Sequence, residues 1–279
     1  AVDGLPVIAL HGTPGFGLKF GFASAEARSK GITLICPDRW GYGRSDAPKS
    51  EEQTLARYAS DLEELADQQG HNHVSLLAVS GGGPFAVATA AHLKARVPAL
   101  GLVAPVGPIV SAPNEGERTI AEMTPFHHFC FRVLPRVPGA LETLFAGFGM
   151  LARRAPDLAM AVATARAAPA DRKLMRNEAE RRGQAKVFGG GLAGSSAGPA
   201  IDLRIFSRRW NVAFDDILAA TQIWQGLADR NVPVAAAKRL ARDIEQAQFF
   251  PIEKAGHCWI AENVGQVLDW FAESSKRQR

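Results

Sequence analysis

Residues 74–85 read VSLLAVSGGGPF and place a serine, Ser80, directly after an apolar run. The run is short and continuously hydrophobic, which is typical of a strand buried on both faces of a parallel sheet. Residues 85–93 are rich in alanine and valine and predict a helix. Ser80 therefore lies at a strand-to-helix turn between the small residues Ala78 and Gly82. This pattern predicts a nucleophile elbow, in which a tight turn lifts the serine hydroxyl clear of the sheet. A plain glycine-rich turn is the alternative.

Apolar runs alternate with helix-length segments on both sides of this turn. Strands are predicted over residues 6–10, 32–36, 74–79, 99–104, 221–225 and 247–252. Helices are predicted over residues 55–68, 85–93, 234–242 and 259–273. The alternation predicts an α/β fold with a mostly parallel central sheet flanked by helices.

The alternation stops within residues 107–214, which we call the insertion. Helix-like pieces occur there at residues 116–123, 140–153, 156–168 and 170–183. A glycine-rich stretch at residues 189–198 predicts a flexible loop. Its letters also match a dinucleotide-binding fingerprint, which we reject because no clear strand precedes it. We therefore predict a core domain, residues 1–106 and 215–279, and a helical cap, residues 107–214.

Two further polar residues follow predicted strands. Asp229 comes after the strand at 221–225, and His257 after the strand at 247–252. The carboxyl ends of parallel strands meet at one edge of a sheet, where ligand chemistry gathers. The order serine, aspartate, histidine along the chain also differs from the orders found in chymotrypsin-like and subtilisin-like proteases. We predict a catalytic triad of Ser80, Asp229 and His257.

An oxyanion hole is predicted beside the elbow. The backbone N–H of Gly81 lies at the positive end of the helix that follows Ser80. The N–H of Thr13, in the loop after the first strand, is the second donor. Three aromatic side chains are predicted to contact the substrate, namely Phe16, Phe126 and Trp259. We expect Asp38 to hold its glycine-containing loop by hydrogen bonds, and Cys258 to pack rather than react.

The sequence resembles the α/β-hydrolase superfamily, in its esterase or proline iminopeptidase-like branch. The stretches that carry this resemblance are HGTPG at 11–15, DRWGYGRSD at 38–46, AVSGGG at 78–83, GLADRNVP at 226–233 and AGHCW at 255–259. They occur in the family's order and cover nearly the whole chain. The resemblance implies a cap inserted after the sixth family strand, where the alternation stops. It also implies two strands before Ala1, so we expect residues to precede it.

Together these features predict a serine hydrolase, a carboxylesterase that cleaves a small ester or related acyl bond through an acyl-enzyme intermediate, without cofactor or metal. In the superfamily, haloalkane dehalogenases and epoxide hydrolases carry aspartate at the elbow, so Ser80 argues against both activities. Other activities stay open: a proline iminopeptidase or C–C bond hydrolase, a cofactor-free perhydrolase or haloperoxidase, and a slow-turnover binding protein. An amine-bearing substrate would need acidic residues in the cap, where bases outnumber acids.

Composition sets wider limits. The 279 residues are 47% hydrophobic and 22% charged, as in an ordinary soluble globular protein. No apolar run is long enough to span a bilayer, and no signal peptide opens the chain. Three cysteines, an odd and sparse set, do not form a disulfide framework, so we expect a cytoplasmic protein. The partner expected is a small-molecule substrate, not nucleic acid, and a homodimer is compatible with the sequence.

The net charge of +4 is unevenly distributed. Residues 108–214 contain fifteen arginines and lysines but nine acids, a balance of +6 that leaves −2 for the rest of the chain. A solvated surface explains this excess in the simplest way. The alternative is that arginines of the cap attract anionic substrates or select an ester that bears a carboxylate.

Overall fold

The computed structural model describes residues 4–109 and 128–276. The strands are β1 (Leu5–Leu10), β2 (Ile32–Ile35), β3 (Ser75–Val79), β4 (Ala99–Val103), β5 (Ala220–Gly226) and β6 (Ala247–Ile252). The α-helices are α1 (Ser24–Ser29), α2 (Leu55–Gln68), α3 (Gly83–Leu93), α4 (Ala140–Arg154), α5 (Pro156–Thr164), α6 (Pro169–Leu174), α7 (Glu178–Ala193), α8 (Ala197–Phe206), α9 (Val234–Asp243) and α10 (Ile260–Lys276).

The strands form one sheet in the order β2-β1-β3-β4-β5-β6, with every neighbouring pair parallel. The central strands β3 and β4 are buried along their whole length, as their continuous hydrophobicity predicts. The edge strand β6 is partly exposed and carries Pro251, which an edge strand tolerates because its missing N–H breaks little of the ladder. The predicted α/β fold with a parallel sheet is confirmed.

Helices cover both faces of the sheet. Buried side chains of α2, α3 and α9 belong to one hydrophobic cluster, and those of α1 and α10 to a second. The contact of α10 with the sheet is close at Gly101 of β4, where an added Cβ would lie 2.8 Å from the ring of Phe271. The sheet is therefore enclosed between two apolar layers. No helix in the described ranges is both long and apolar enough to cross a membrane.

The insertion is helical where the structure describes it. Helices α4 to α8 follow one another between β4 and β5. Helix α8 is the most deeply buried of them, and its apolar side chains join the same cluster as α2 and α3. The predicted division into core and cap at residues 107 and 214 stays a prediction, since α8 shares its hydrophobic packing with the core.

Two predictions within the insertion are wrong. Residues 189–193 of the glycine-rich stretch belong to α7 rather than to a flexible loop. Their glycines allow close packing, because a Cβ added to Gly191 would lie 2.5 Å from the backbone nitrogen of Gly15. The helix predicted over 170–183 is interrupted between α6 and α7, where the side chain of Asn177 accepts hydrogen bonds from two backbone N–H groups and starts a new helix.

A buried ion pair ties the insertion to the core. Arg39 Nη2 lies 2.5 Å from Oδ2 of Asp202 in α8, and both side chains are 1% exposed. The hydroxyls of Tyr42 and Thr13 donate to the same oxygen at 2.6 and 2.5 Å. Arg39 also donates to the backbone carbonyl of His11. One carboxylate thus joins α8 to the loops that follow β1 and β2.

We expect Asp202→Asn to lower the free energy of unfolding by about 3–5 kcal/mol, because it leaves the Arg39 guanidinium buried without its counter-charge. Urea unfolding measures this loss. In a double-mutant cycle with Arg39→Met, the double variant should lose less than the sum of the single losses, by about 1 kcal/mol or more.

The control is the exposed pair of Arg182 and Glu178, whose side chains are 78% and 61% exposed. Glu178→Gln should change the free energy of unfolding by less than about 0.5 kcal/mol. An Asp202→Asn effect no larger than this control would show that the buried pair is not a principal stabilising contact.

Candidate active site

Ser80 lies at the turn between β3 and α3. Its φ is +54°, in the left-handed region that a residue with a side chain seldom adopts. The backbone carbonyl of Ser80 accepts a hydrogen bond from the N–H of Val106 at 3.0 Å, which links the turn to the segment after β4. The structure therefore has the strained strand-to-helix turn that the sequence predicts, with the serine at its tip.

The loop after β1, which we call the oxyanion loop (residues 11–16), packs directly on this turn. A Cβ added to Gly12 would lie 3.2 Å from the Cβ of Ser80, and one added to Gly81 would lie 2.9 Å from the Cβ of Thr13. Thr13 and Gly81 also line the same cavity as Ser80. The structure thus brings together the two residues whose N–H groups are predicted to form the oxyanion hole.

Asp229 and His257, which follow β5 and β6, form a hydrogen-bonded pair. His257 Nδ1 lies 2.8 Å from Asp229 Oδ2. The Asp229 carboxylate also accepts from the N–H groups of Asn231 and Val232 at 2.7 and 3.1 Å, and from Gln225 Nε2 at 3.2 Å. These donors fix the carboxylate, which in turn orients the imidazole.

The pKa values of both Asp229 and His257 are shifted by their surroundings. Burial disfavours the charged form of each, but the attraction and hydrogen bond between them outweigh burial. The pKa of Asp229 is therefore lowered and that of His257 raised. For His257, the charge of Lys19 opposes the rise and that of Asp171 supports it.

Ser80 and His257 face a common cavity of about 350 Å³. No hydrogen bond joins the serine hydroxyl to the imidazole in the described part of the chain, and such bonds commonly tighten only when substrate binds. Residues of the insertion form most of the wall, and many of them are apolar, including Phe131, Leu144, Phe145, Phe148, Met160, Val162, Val187, Phe188, Leu203 and Phe206.

Two of the three aromatic residues predicted to contact substrate, Phe16 and Trp259, are not brought to this wall. The ring of Phe16 packs against Gly190 of α7, and Trp259 packs against the hydrophobic cluster that contains α1 and α10. Neither lines the cavity within residues 4–109 and 128–276. Phe126 lies outside the described residues. The sequence-based assignment of Phe16 and Trp259 to the pocket therefore has no support in the structure.

Two other sequence-based expectations concern Asp38 and Cys258. Asp38 accepts hydrogen bonds from the N–H groups of Gly17 and Arg44 at 2.7 and 3.3 Å, so it holds its loop as predicted. Cys258 lines the cavity, where burial raises the pKa of its thiol to about 12 and keeps it protonated. Within the described ranges, no group of three or more side chains could hold a metal ion.

Asp171 is a site residue that sequence reasoning missed. This residue of α6 is 4% exposed, and its carboxylate accepts the backbone N–H groups of His257 at 2.9 Å and Cys258 at 2.8 Å. It also lies so close to Gly256 that a Cβ there would overlap it. A residue of the insertion therefore holds the loop that carries the histidine.

We expect Asp171→Asn to lower kcat/KM about ten- to a hundredfold, because an amide can accept only one of these N–H groups well and its own NH₂ repels the other. The loss of charge removes a cause that raises the pKa of His257. The acid limb of the pH profile, where kcat/KM falls as the pH is lowered, should therefore move to lower pH. Loosened packing alone would not produce this change.

The matched control is Asp157→Asn, at an acid of α5 whose side chain is 91% exposed. This variant should keep both the rate and the pH profile. If Asp171→Asn also kept both, Asp171 would have no positioning role for the histidine.

Comparisons with known proteins agree with this architecture. A model described as "Alpha/beta hydrolase family" matches residues 7–270. A proline iminopeptidase of Thermoplasma volcanium is 28% identical over 118 residues, which are 42% of this chain and 40% of that protein. The aligned part of this chain therefore covers less than half the length of this curated relative.

Solved structures share the fold across nearly the whole chain. A bromoperoxidase from Bacillus anthracis superposes with a TM-score of 0.70 at 20% identity, covering 98% of this chain and 92% of that one. An esterase from Exiguobacterium antarcticum superposes with a TM-score of 0.68 at 20% identity, covering 97% of this chain and 92% of that one. Since the family model extends over most of the sequence, this chain belongs to the alpha/beta hydrolase family.

Proposed function

We propose that this protein is a serine hydrolase that cleaves a carboxylic ester or a related acyl bond through an acyl-enzyme intermediate. The observation that carries the proposal is the 2.8 Å hydrogen bond between His257 and Asp229, at a cavity that Ser80 enters from its strained turn. Serine, histidine and a buried carboxylate in this relation are the parts that acyl transfer requires.

In the proposed acylation, Ser80 Oγ bonds to the acyl carbon while His257 Nε2 takes its proton. Asp229 keeps the Nδ1 proton in place and stabilises the imidazolium that forms. The N–H groups of Thr13 and Gly81 hold the oxyanion of the tetrahedral intermediate. The imidazolium then gives its proton to the leaving alkoxide, and the alcohol departs.

Deacylation repeats the same steps with water as the nucleophile. His257 takes a proton from water as the oxygen bonds to the acyl carbon, and returns it to Ser80 Oγ as the carboxylic acid leaves. Asp229 raises the pKa of His257 by charge attraction and a hydrogen bond, which outweigh burial, and so favours the imidazolium that forms in both steps.

The second candidate is a proline iminopeptidase, which the relative from Thermoplasma volcanium favours. That chemistry needs a negative group to receive the substrate amine. Among residues 4–109 and 128–276, the cavity is lined by no aspartate or glutamate, whereas Lys19 and Arg166 do line it. The cavity thus supports an ester with an apolar portion better than an amino-terminal peptide.

We expect para-nitrophenyl esters to be turned over, and Ser80→Ala to reduce kcat at least about a thousandfold, because no other group of the site supplies the nucleophile. A fluorophosphonate probe should label Ser80, as located by peptide mass mapping. The protonated thiol of Cys258 should remain unlabelled.

Ser24→Ala, at an exposed serine of α1, is the control and should keep full activity. Proline para-nitroanilide, tested beside the esters, distinguishes the second candidate. Ester turnover that persisted in Ser80→Ala would overturn the assignment of the nucleophile.

The pH profile tests the histidine. Because His257 must be neutral to accept a proton and its pKa is raised, the acid limb of kcat/KM should have its midpoint above 6.5. Asp229→Asn should lower kcat about 10³–10⁴-fold, since an amide favours the wrong imidazole tautomer. It should also move the limb to lower pH, because the attraction that raises the pKa is lost.

Glu253→Gln, at an exposed acid four residues before the histidine, serves as the control and should leave the profile unchanged. An acid limb that stayed in place in Asp229→Asn would show that the limb reports another group.

A further inference from the structure

Lys19 is a charged residue at the cavity for which the proposed mechanism has no role. It lies in the 3₁₀ segment Gly17–Ala23, just after the oxyanion loop, and its backbone N–H donates to the carbonyl of Phe16 at 2.9 Å. The side chain lines the same cavity as Ser80 and His257. The ammonium group is therefore carried by the segment that directly follows the oxyanion loop.

Within residues 4–109 and 128–276, the ammonium group of Lys19 has no counter-charge. Among the described residues, no carboxylate lies within ion-pairing distance of Lys19 and no side chain accepts a hydrogen bond from it, although the residue is partly buried. Burial lowers the pKa of Lys19, as expected for a cation removed from water. Buried charges are otherwise paired, because desolvation of an isolated ion is costly.

The charge of Lys19 acts on titratable groups around the cavity. The charge of Lys19 opposes the net rise in the pKa values of His257 and Cys258, and it adds to the lowering of the pKa of His11 that burial causes. Lys19 therefore lines the same cavity as Ser80 and His257, close enough for its charge to act on His257. The second cation on the wall, Arg166, comes from the insertion after α5.

We propose that Lys19 is a specificity residue that receives a carboxylate carried by the substrate, so that the enzyme prefers monoesters of dicarboxylic acids. The inference rests on the proposed esterase function. A carboxylate would give the ammonium group the counter-charge that none of the described residues supplies, in a cavity whose apolar walls strengthen the attraction. The methylene chain between carboxylate and ester would contact these apolar walls.

The test compares three para-nitrophenyl esters of similar length and different terminal charge. They are the monoester of adipic acid, which is anionic, its terminal amide, which is neutral, and the ester of ε-aminocaproic acid, which is cationic. We expect wild-type kcat/KM to be highest for the anion and lowest for the cation. Monoesters of shorter and longer diacids should give the highest kcat/KM at one chain length. That length measures the distance between the ammonium group and the position of the ester.

Lys19→Met removes the charge and keeps much of the stem. It should lower the ratio of kcat/KM for the anionic ester to that for the amide by about ten- to a hundredfold, as expected for a hydrogen bond between charged groups. Lys19→Arg should retain most of the ratio. Lys238→Met, at an exposed lysine of α9, is the matched control and should retain all of it. If Lys19→Met does not fold, Lys19→Gln takes its place.

A ratio unchanged by Lys19→Met, or a wild-type preference for the amide or the amine, would overturn the proposal. Binding separates this result from failure of the proposed function. Calorimetry with adipate on Ser80→Ala should show binding that Lys19→Met abolishes, even if none of the esters is hydrolysed. Absence of adipate binding, or equal binding without the lysine, would contradict the carboxylate site itself.

Discussion

The carboxylate of Asp202 holds together the segments on which the candidate site is built. Its Oδ2 receives the guanidinium of Arg39 and the hydroxyls of Tyr42 and Thr13. A carboxylate with so little exposure persists only where opposite charge and hydrogen bonds offset its desolvation. Since Thr13 in turn packs on Gly81, the same interaction sets the distance between the oxyanion loop and the nucleophile turn. A residue of the insertion therefore supports the geometry of the candidate site without lining its cavity in the described ranges.

Close backbone approach is the second constraint. Where the oxyanion loop meets the turn at Ser80, a side chain at Gly81 would collide and one at Gly12 would be tightly confined. A side chain at Gly191 would collide where α7 meets the loop. Glycine has two consequences, freedom of the backbone and absence of a Cβ, and composition alone does not say which one a fold uses. The composition of residues 189–198 predicts a flexible loop, but residues 189–193 belong to a helix. The absence of Cβ atoms at its glycines lets this helix approach its neighbours closely.

The parts of the site that could be predicted are those encoded locally. Ser80, Asp229 and His257 each follow an apolar run, and parallel strands bring their carboxyl ends to one edge, so spacing along the chain translates into proximity. Asp171 and Asp202 carry no such signal. Asp171 contacts His257, which is 86 positions away, and Asp202 contacts Arg39, which is 163 positions away. Both lie in an insertion whose helices do not alternate with strands of the sheet. In the sequence they are two of nine acids in a basic segment, and only packing shows that they are buried.

Net charge does not predict the electrostatic field at the candidate site, because only packing shows which charges are buried and which are exposed. The insertion carries an excess of +6, yet Arg181, Arg182 and Arg204 are paired with acids at its partly or largely exposed surface. Charges in that position are screened by water and salt. Lys19 belongs to the nearly neutral core, but it borders an apolar cavity and has no partner among the described residues. Since an interaction in such surroundings is several times stronger than one in water, a single ammonium group at the candidate site matters more there than its share of the net charge indicates.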